Sequence, residues 1–399
     1  MRIRIVTLGC KLNFAESSAL MRSLEAAGHV RAKAGEAADV VIVNTCTVTD
    51  AADHKDRQAI HRLRRENPGA KMIVTGCYAA LLKQRKDAEI LKEIDHLVVK
   101  NTEKFQPAWS KDDRTRCFLK VQDGCNYFCT YCTIPYARGR SRNISIDEVV
   151  AQAKEALASG AKEIVLTGVN IGDFGRSTNE KFIDLLRALD EMDISDYRIR
   201  ISSCEPNLLT DEIIEFVARS KHFAPHFHIP LQSGSNEVLK IMHRRYTREL
   251  FAERVAHIKQ VMPNAFIGVD CMVGVRGETA ECFEDYVTFV KSLPVSQLHV
   301  FTYSERANTK MLEMDLYVVP KAERERRSKV MHTISNDKLA AFYAEHQGEE
   351  ATVLWESKRL EGGLMSGWTE NYIKVTAPFD RAKVNTFERI KIGAGVGLP

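Results

Sequence analysis

The segment Gly124-Cys125-Asn126-Tyr127-Phe128-Cys129-Thr130-Tyr131-Cys132 places three thiols in eight residues with CxxxCxxC spacing, directly after a run that reads as a β-strand. A cubane [4Fe–4S] cluster ordinarily takes four thiolates, so three protein ligands leave one iron open to chelate a substrate. An open iron is what radical chemistry on S-adenosylmethionine requires, because it holds the amino and carboxylate groups while one electron enters the sulfonium. A structural zinc site is the competing reading, but it usually needs CxxC pairs with a fourth Cys or His, and no second pair stands nearby. Three unliganded buried thiols fit less well, since two of the three flank aromatic residues in a loop.

Three more cysteines follow strand-like runs: Cys10 after Thr7-Leu8-Gly9, Cys46 after Val43-Asn44-Thr45, and Cys77 after Val74-Thr75-Gly76. Ligands of open parallel sheets gather outside the carboxyl ends of the strands, so these thiols are expected to converge. The register predicts an auxiliary three-cysteine [4Fe–4S] cluster whose open iron is a place to hold a sulfur species. Taken singly, each could be a small core residue. Cys117, Cys204, Cys271 and Cys282 share no spacing and are read as core packing.

These thiols need elements to position them. A chain of 399 residues exceeds the roughly 250 to 300 at which one core stops growing, so several domains are expected. The pattern predicts an α/β protein: an open parallel-sheet domain over 1–110, a partial (β/α)6 barrel over 111–343, and a small all-β barrel over 344–399. Expected strands are 2–8, 39–44, 71–75 and 96–99, then 118–122, 163–167, 197–202, 227–230, 265–272 and 297–303, with a polar linker over 101–116. A charged helix is expected over 320–345, and short strands over 351–355 and 371–375.

Loops beyond barrel strands collect cofactor contacts, which draws attention to Asn170, Ser203, Glu205, Gln232 and Ser233. Each alone reads equally well as a turn former. His226 and His228 alternate along one strand and invite a metal reading; a polar barrel interior is the preferred one, since no third ligand with suitable spacing appears.

Arg138, Arg140 and Arg142 recur at every second residue, so an extended backbone would display them along one edge, where phosphates are the natural counterpart. Arg244-Arg245-Tyr246 sets planar cations beside an aromatic, suited to an unstacked loop base. Trp355, Trp368 and Tyr372 suit base stacking or core packing equally. The run from Lys321 to Lys329, with its interleaved acids, reads as a solvated face. A net charge of +4 is compatible with a polyanionic partner without demonstrating one. No apolar stretch approaches the about 20 residues of a membrane helix. The alternating N-terminus lacks the apolar region of a secretory signal, so the chain is expected in the cytoplasm, where its ten cysteines favour metal use over disulfides.

The motifs Leu8-Gly9-Cys10-Lys11-Leu12-Asn13, Asn44-Thr45-Cys46, Thr75-Gly76-Cys77, Gly124 through Cys132 and Ile134-Pro135-Tyr136-Ala137-Arg138-Gly139 resemble those of the radical S-adenosylmethionine methylthiotransferases, over essentially the whole chain. Gln122-Asp123-Gly124-Cys125, Ala137-Arg138-Gly139 and Cys10-Lys11-Leu12-Asn13 most resemble the branch that adds a methylthio group to C2 of N6-threonylcarbamoyladenosine at position 37, next to the tRNA anticodon. The resemblance implies two [4Fe–4S] clusters, S-adenosylmethionine, a one-electron reductant, a tRNA anticodon stem-loop as partner, and a C-terminal TRAM β-barrel. It implies that the cluster on Cys125, Cys129 and Cys132 cleaves S-adenosylmethionine, and that the cluster on Cys10, Cys46 and Cys77 supplies sulfur. It also places Tyr131 beside the cofactor's adenine. No catalytic acid or base is assigned, because the cofactor carries the hard chemistry. One departure is Gly274-Val275-Arg276-Gly277-Glu278-Thr279, where the family usually has an aromatic and a proline before Gly-Glu-Thr. Two rivals stand: the sister branch that methylthiolates an aspartate of a ribosomal protein, and a non-catalytic iron–sulfur RNA-binding or electron-transfer protein, against which stands the three-cysteine count, since a pure electron carrier has no reason to leave an iron uncapped.

Overall fold

The computed structural model describes residues 1–85, 88–100, 102–110 and 115–393. Its first sheet comprises β1 (Arg2–Thr7), β2 (Val30–Arg31), β3 (Val40–Thr45), β4 (Lys71–Gly76) and β5 (His96–Val98), all parallel, in the order β2-β1-β3-β4-β5. The unbroken apolar run of β3 is buried at every residue, as a central parallel strand covered by helices on both faces must be. Val41, Val43, Ile60, Leu63 and Met72 pack on one face; Ile3, Met21, Val40 and Ile42 pack on the other.

The barrel follows with β6 (Ala108–Trp109), β7 (Arg116–Lys120), β8 (Glu163–Thr167), β9 (Arg198–Ile201), β10 (His226–Gln232), β11 (Phe266–Val273) and β12 (Gln297–Thr302). From β7 to β12 the strands run parallel, and the seam between β9 and β10 is joined through the Ser203–His228 bridge, giving the expected partial barrel. Local sequence explains where its helices start. Ser145 and Glu148 form a capping box before Ile146–Ala158, and Thr210, Thr247 and Thr279 cap three later helices through their hydroxyls.

The expected linker at 101–116 is corrected in part. Ala108–Trp109 forms β6, antiparallel to β7, and Arg116 already belongs to β7. Residue 101 and residues 111–114, including the expected boundary at 110/111, lie outside the described residues.

Helix Lys321–Glu345 packs along β12, with Ser335 Oγ donating to the Leu298 carbonyl at 2.7 Å. It runs through the expected boundary at 343/344. Beyond it, β13 (Glu350–Arg359), β14 (Leu364–Trp368), β15 (Lys374–Pro378) and β16 (Phe387–Lys391) form an antiparallel sheet in the order β15-β14-β13-β16 over a core of Val353, Trp355, Met365 and Val375. The strand expected at 371–375 starts later, because Tyr372 adopts φ 64° in the preceding turn.

Glu163 on β8 binds Arg198 and Arg200 on β9, and those guanidinium groups also donate to the carbonyls of Thr352, Trp368, Thr369 and Glu370. A buried charge network thus docks the C-terminal sheet onto the barrel. Arg306 does the same for the N-terminal domain, donating to Asp53 and Thr47 at 2.7 Å each. Among the described residues no helix is long and apolar enough to cross a membrane.

Candidate functional site

β1, β3 and β4 are neighbours in the sheet, and Cys10, Cys46 and Cys77 stand at their carboxyl ends. Glycine permits the crowding there. Gly9 (φ +107°) would put a Cβ 2.6 Å from Cys46 Cβ, and Gly76 (φ +100°) would put one 2.3 Å from the Thr45 carbonyl oxygen. Asn13 ties the strand ends together by donating to the carbonyls of Leu8 and Thr45. Burial pushes the Cys46 thiol up to about 12, and the neighbouring Cys10 and Cys77 add to the effect. Burial also raises Cys77, against the pull of Arg138. Three thiols crowded at adjacent strand ends become good ligands once a metal supplies the opposing charge, so the donor set fits an iron–sulfur cluster.

The second triplet lies in the loop after β7. Gly124 (φ +71°) lets this loop pass within contact of the Arg140 carbonyl, where a Cβ would sit 2.0 Å from the oxygen. Gln122 holds the loop from below: its Nε2 donates to the Gly124 carbonyl at 2.7 Å, and its Oε1 accepts from the backbone N–H groups of Val169 and Asn170 at 2.9 Å each. Burial raises the thiols of Cys125 to about 11 and Cys132 to about 12, and that of Cys129 in the same direction.

Two cavities meet between the triplets. The larger, about 680 Å³, is lined by Cys10, Lys11, Phe14, Arg116, Arg200, Ser203, His228, Asp270 and Tyr372. The smaller, about 180 Å³, is lined by Tyr131, Cys132, Gln232, Met272 and Arg306. Asp270 and Phe301 line both, so the cavity that Cys10 lines adjoins the one that Cys132 lines. Asn170 is buried with both amide atoms unpartnered, and Gln232 Oε1 is also unpartnered. Buried polar groups of this kind call for a ligand, which fits a polar cofactor beside the second triplet.

The other expected contacts divide. Ser203 lines the larger cavity, whereas Glu205 forms an ion pair with Arg244. Ser233 is buried and accepts from the Ser235 N–H, acting as a turn former. Tyr131 lines the smaller cavity and accepts from Arg244 at 3.4 Å.

The arginine edge is corrected. Arg138 closes helix Ile134–Arg138 instead of extending, and is buried against Glu16, Asp123, Asn13 and Cys77. Arg142 is buried too, donating to Asp123 and to the carbonyls of Arg138 and Arg140. Only Arg140 of the three is exposed. Arg244 is likewise interior, donating to Cys129 Sγ at 3.1 Å, while the exposed Arg245 lies over the Tyr127 ring and donates to the Asn126 carbonyl. Trp355 is core, whereas Tyr372 lines the larger cavity and stacks on Trp368. Arg276 pairs with Glu305. Cys117, Cys204, Cys271 and Cys282 sit in apolar cores as expected.

His226 and His228 also part company. His226 packs between Phe266 and Tyr372. His228 binds Asp270 at 2.7 Å, and with His299 these residues offer three donor atoms within 4.8 Å of one another. The two partners that spacing along β10 could not show come from β11 and β12.

Sequence reasoning gave no role to Lys11, Arg116, Arg200 or Asp270, all of which line the larger cavity. Lys11 touches water through that cavity, yet protein surrounds it closely enough that burial lowers its pKa, with Tyr372 opposing and Arg116 and Arg200 reinforcing the shift.

Comparison with known proteins agrees with this architecture. The radical SAM superfamily matches residues 119–290, and the uncharacterized protein family UPF0004 matches residues 2–99. Threonylcarbamoyladenosine tRNA methylthiotransferase MtaB of Bacillus subtilis is 38% identical, covering 97% of this chain and 92% of its own. The protein of the same name from Aquifex aeolicus is 34% identical over 94% of this chain and 96% of its own. The tRNA-2-methylthio-N(6)-dimethylallyladenosine synthase of Desulfitobacterium hafniense is 31% identical over 98% of this chain and 94% of its own. Among solved structures, the radical S-adenosylmethionine methyltransferase TsrM from Kitasatospora setae, described with cobalamin and a [4Fe–4S] cluster bound, shares the fold. Its TM-score is 0.55 at 15% identity, covering 78% of this chain and 76% of that one.

Proposed function

Because the chain belongs to the family of radical S-adenosylmethionine tRNA methylthiotransferases, we propose that it adds a methylthio group to C2 of N6-threonylcarbamoyladenosine at position 37 of tRNA. The observation that carries the reading is the adjoining pair of cavities: Cys10 lines one, Cys132 the other, and Asp270 and Phe301 line both. A base seated there would face a thiol of each set.

When bound, the two [4Fe–4S] clusters and S-adenosylmethionine supply the one-electron and sulfur chemistry that side chains lack. The chain's own residues do the rest. Cys125, Cys129 and Cys132 hold one cluster, and Cys10, Cys46 and Cys77 hold the other. Tyr131 and Gln232, which line the smaller cavity, Ser203, which lines the larger, and Asn170, whose buried amide is unpartnered, would contact the cofactor. Glu205 fixes Arg244 against Cys129. Arg140 and Arg245, exposed beside the cysteine loop, are suited to the phosphates of an anticodon stem-loop. Such a reaction draws on a one-electron reductant, and a cytoplasmic location is the reading consistent with a tRNA substrate.

Mass spectrometry of digested tRNA from a strain lacking the gene tests the proposal. Loss of 2-methylthio-N6-threonylcarbamoyladenosine, restored by the gene, is the expected result. Unchanged tRNA overturns it.

A further inference from the structure

The relatives named above act, by their names, on adenosines whose N6 groups differ in charge. Threonylcarbamoyl carries a free carboxylate, and dimethylallyl carries none. Resting on the proposed function, we propose that Lys11 selects the carboxylate-bearing substituent, its ammonium pairing with that carboxylate inside the larger cavity.

The cations of this cavity are not equivalent. Arg200 is committed to Glu163 and to the carbonyls of Thr369 and Glu370. Arg116 is committed to Glu356 and Tyr372. Lys11 has no hydrogen bond or ion pair among the described residues. Asp270 acts on it only through its charge, without a hydrogen bond or ion pair, and that carboxylate is held by His228 at 2.7 Å. An exposed ammonium at the cavity wall, with no protein partner among the described residues, can meet a ligand anion without giving up an existing bond.

Position points the same way. Lys11 follows Cys10 directly and opens helix Lys11–Ala26, so the charge stands beside an auxiliary thiol. The aromatic rings of Phe14 and Phe118 share the cavity wall, which suits a flat base better than an RNA backbone. Of the three cations in the lining, Arg116 and Arg200 are paired with Glu356 and Glu163, so an anion entering the cavity meets Lys11.

The test uses reconstituted holoenzyme and three anticodon stem-loops identical except at N6: threonylcarbamoyl, its carboxamide, and dimethylallyl. Rates of 2-methylthio product formation give kcat and KM, and fluorescence titration without S-adenosylmethionine gives Kd. The wild type should prefer the carboxylate over the carboxamide by roughly 10- to 100-fold, the worth of a charge-assisted hydrogen bond. Lys11→Met should bring that ratio close to one, chiefly through KM and Kd, and Lys11→Arg should keep most of it. Iron content identifies any variant that has lost a cluster; if Lys11→Met has, Lys11→Gln is read in its place. A ratio that survives loss of the ammonium, or an equal loss on both RNAs, overturns the assignment while the proposed function stands. A wild type that fails to modify the threonylcarbamoyl RNA overturns both.

Discussion

Arg138 Nε donates to Cys77 Sγ at 3.2 Å, joining the helix that follows one cysteine triplet to the third thiol of the other. The same guanidinium reaches Asp123 at 3.0 Å and Glu16 at 3.1 Å. Burial alone would raise Asp123, but Arg138 and Lys120 hold its carboxyl down to about 2. The two thiol sets therefore share one charged joint.

Arg138→Met should leave Glu16 and Asp123 short of a cation in a buried place, at a cost of about 3 to 5 kcal/mol. Arg138→Lys should recover part of that loss, since it restores the charge without the planar fork. Urea denaturation of the apoprotein checks both values.

Replacing Cys10, Cys46 and Cys77 together by Ala should remove about half the iron while S-adenosylmethionine cleavage persists. Replacing Cys125, Cys129 and Cys132 should remove a similar share and abolish cleavage. Iron counting, with chromatographic detection of 5′-deoxyadenosine, separates the two cases.

Gly124→Ala should cost the cysteine loop its shape. The residue sits at φ +71°, and the new Cβ would meet the Arg140 carbonyl oxygen at 2.0 Å, so backbone must move. The expected outcome is loss of the iron held by Cys125, Cys129 and Cys132, with the auxiliary iron kept.

Glu163 controls acid stability at the domain junction. Burial would raise its carboxyl above the ordinary 4.5, yet Arg200 and Arg198 hold it at about 2. Burial in turn lowers Arg198, so the carboxylate is the better anchored partner. The folded value lies below the unfolded one, so this contribution is complete above pH 4.5 and fades as pH falls toward 2. Glu163→Gln should cost roughly 3 kcal/mol at pH 7 and flatten the acid limb in that window. Denaturation midpoints measured across that range check the sign.

Sequence by itself determined the six candidate ligands, the partial barrel and the parallel N-terminal sheet. Their signals are local: CxxxCxxC spacing, a cysteine after each strand, glycine before Cys10, Cys77 and Cys125, and the alternation of strand and helix. Tertiary structure alone decided where the arginines point. Reading every second residue as one edge holds only for an extended chain, and Arg138 closes a helix, so buried carboxylates on other elements claimed Arg138 and Arg142. Spacing along β10 could not show that β11 and β12 bring Asp270 and His299 to His228. Nor could it show that Lys11 has no partner among the described residues while Arg116 and Arg200 beside it are paired, since those partners come from segments remote in sequence and only folding brings them within reach.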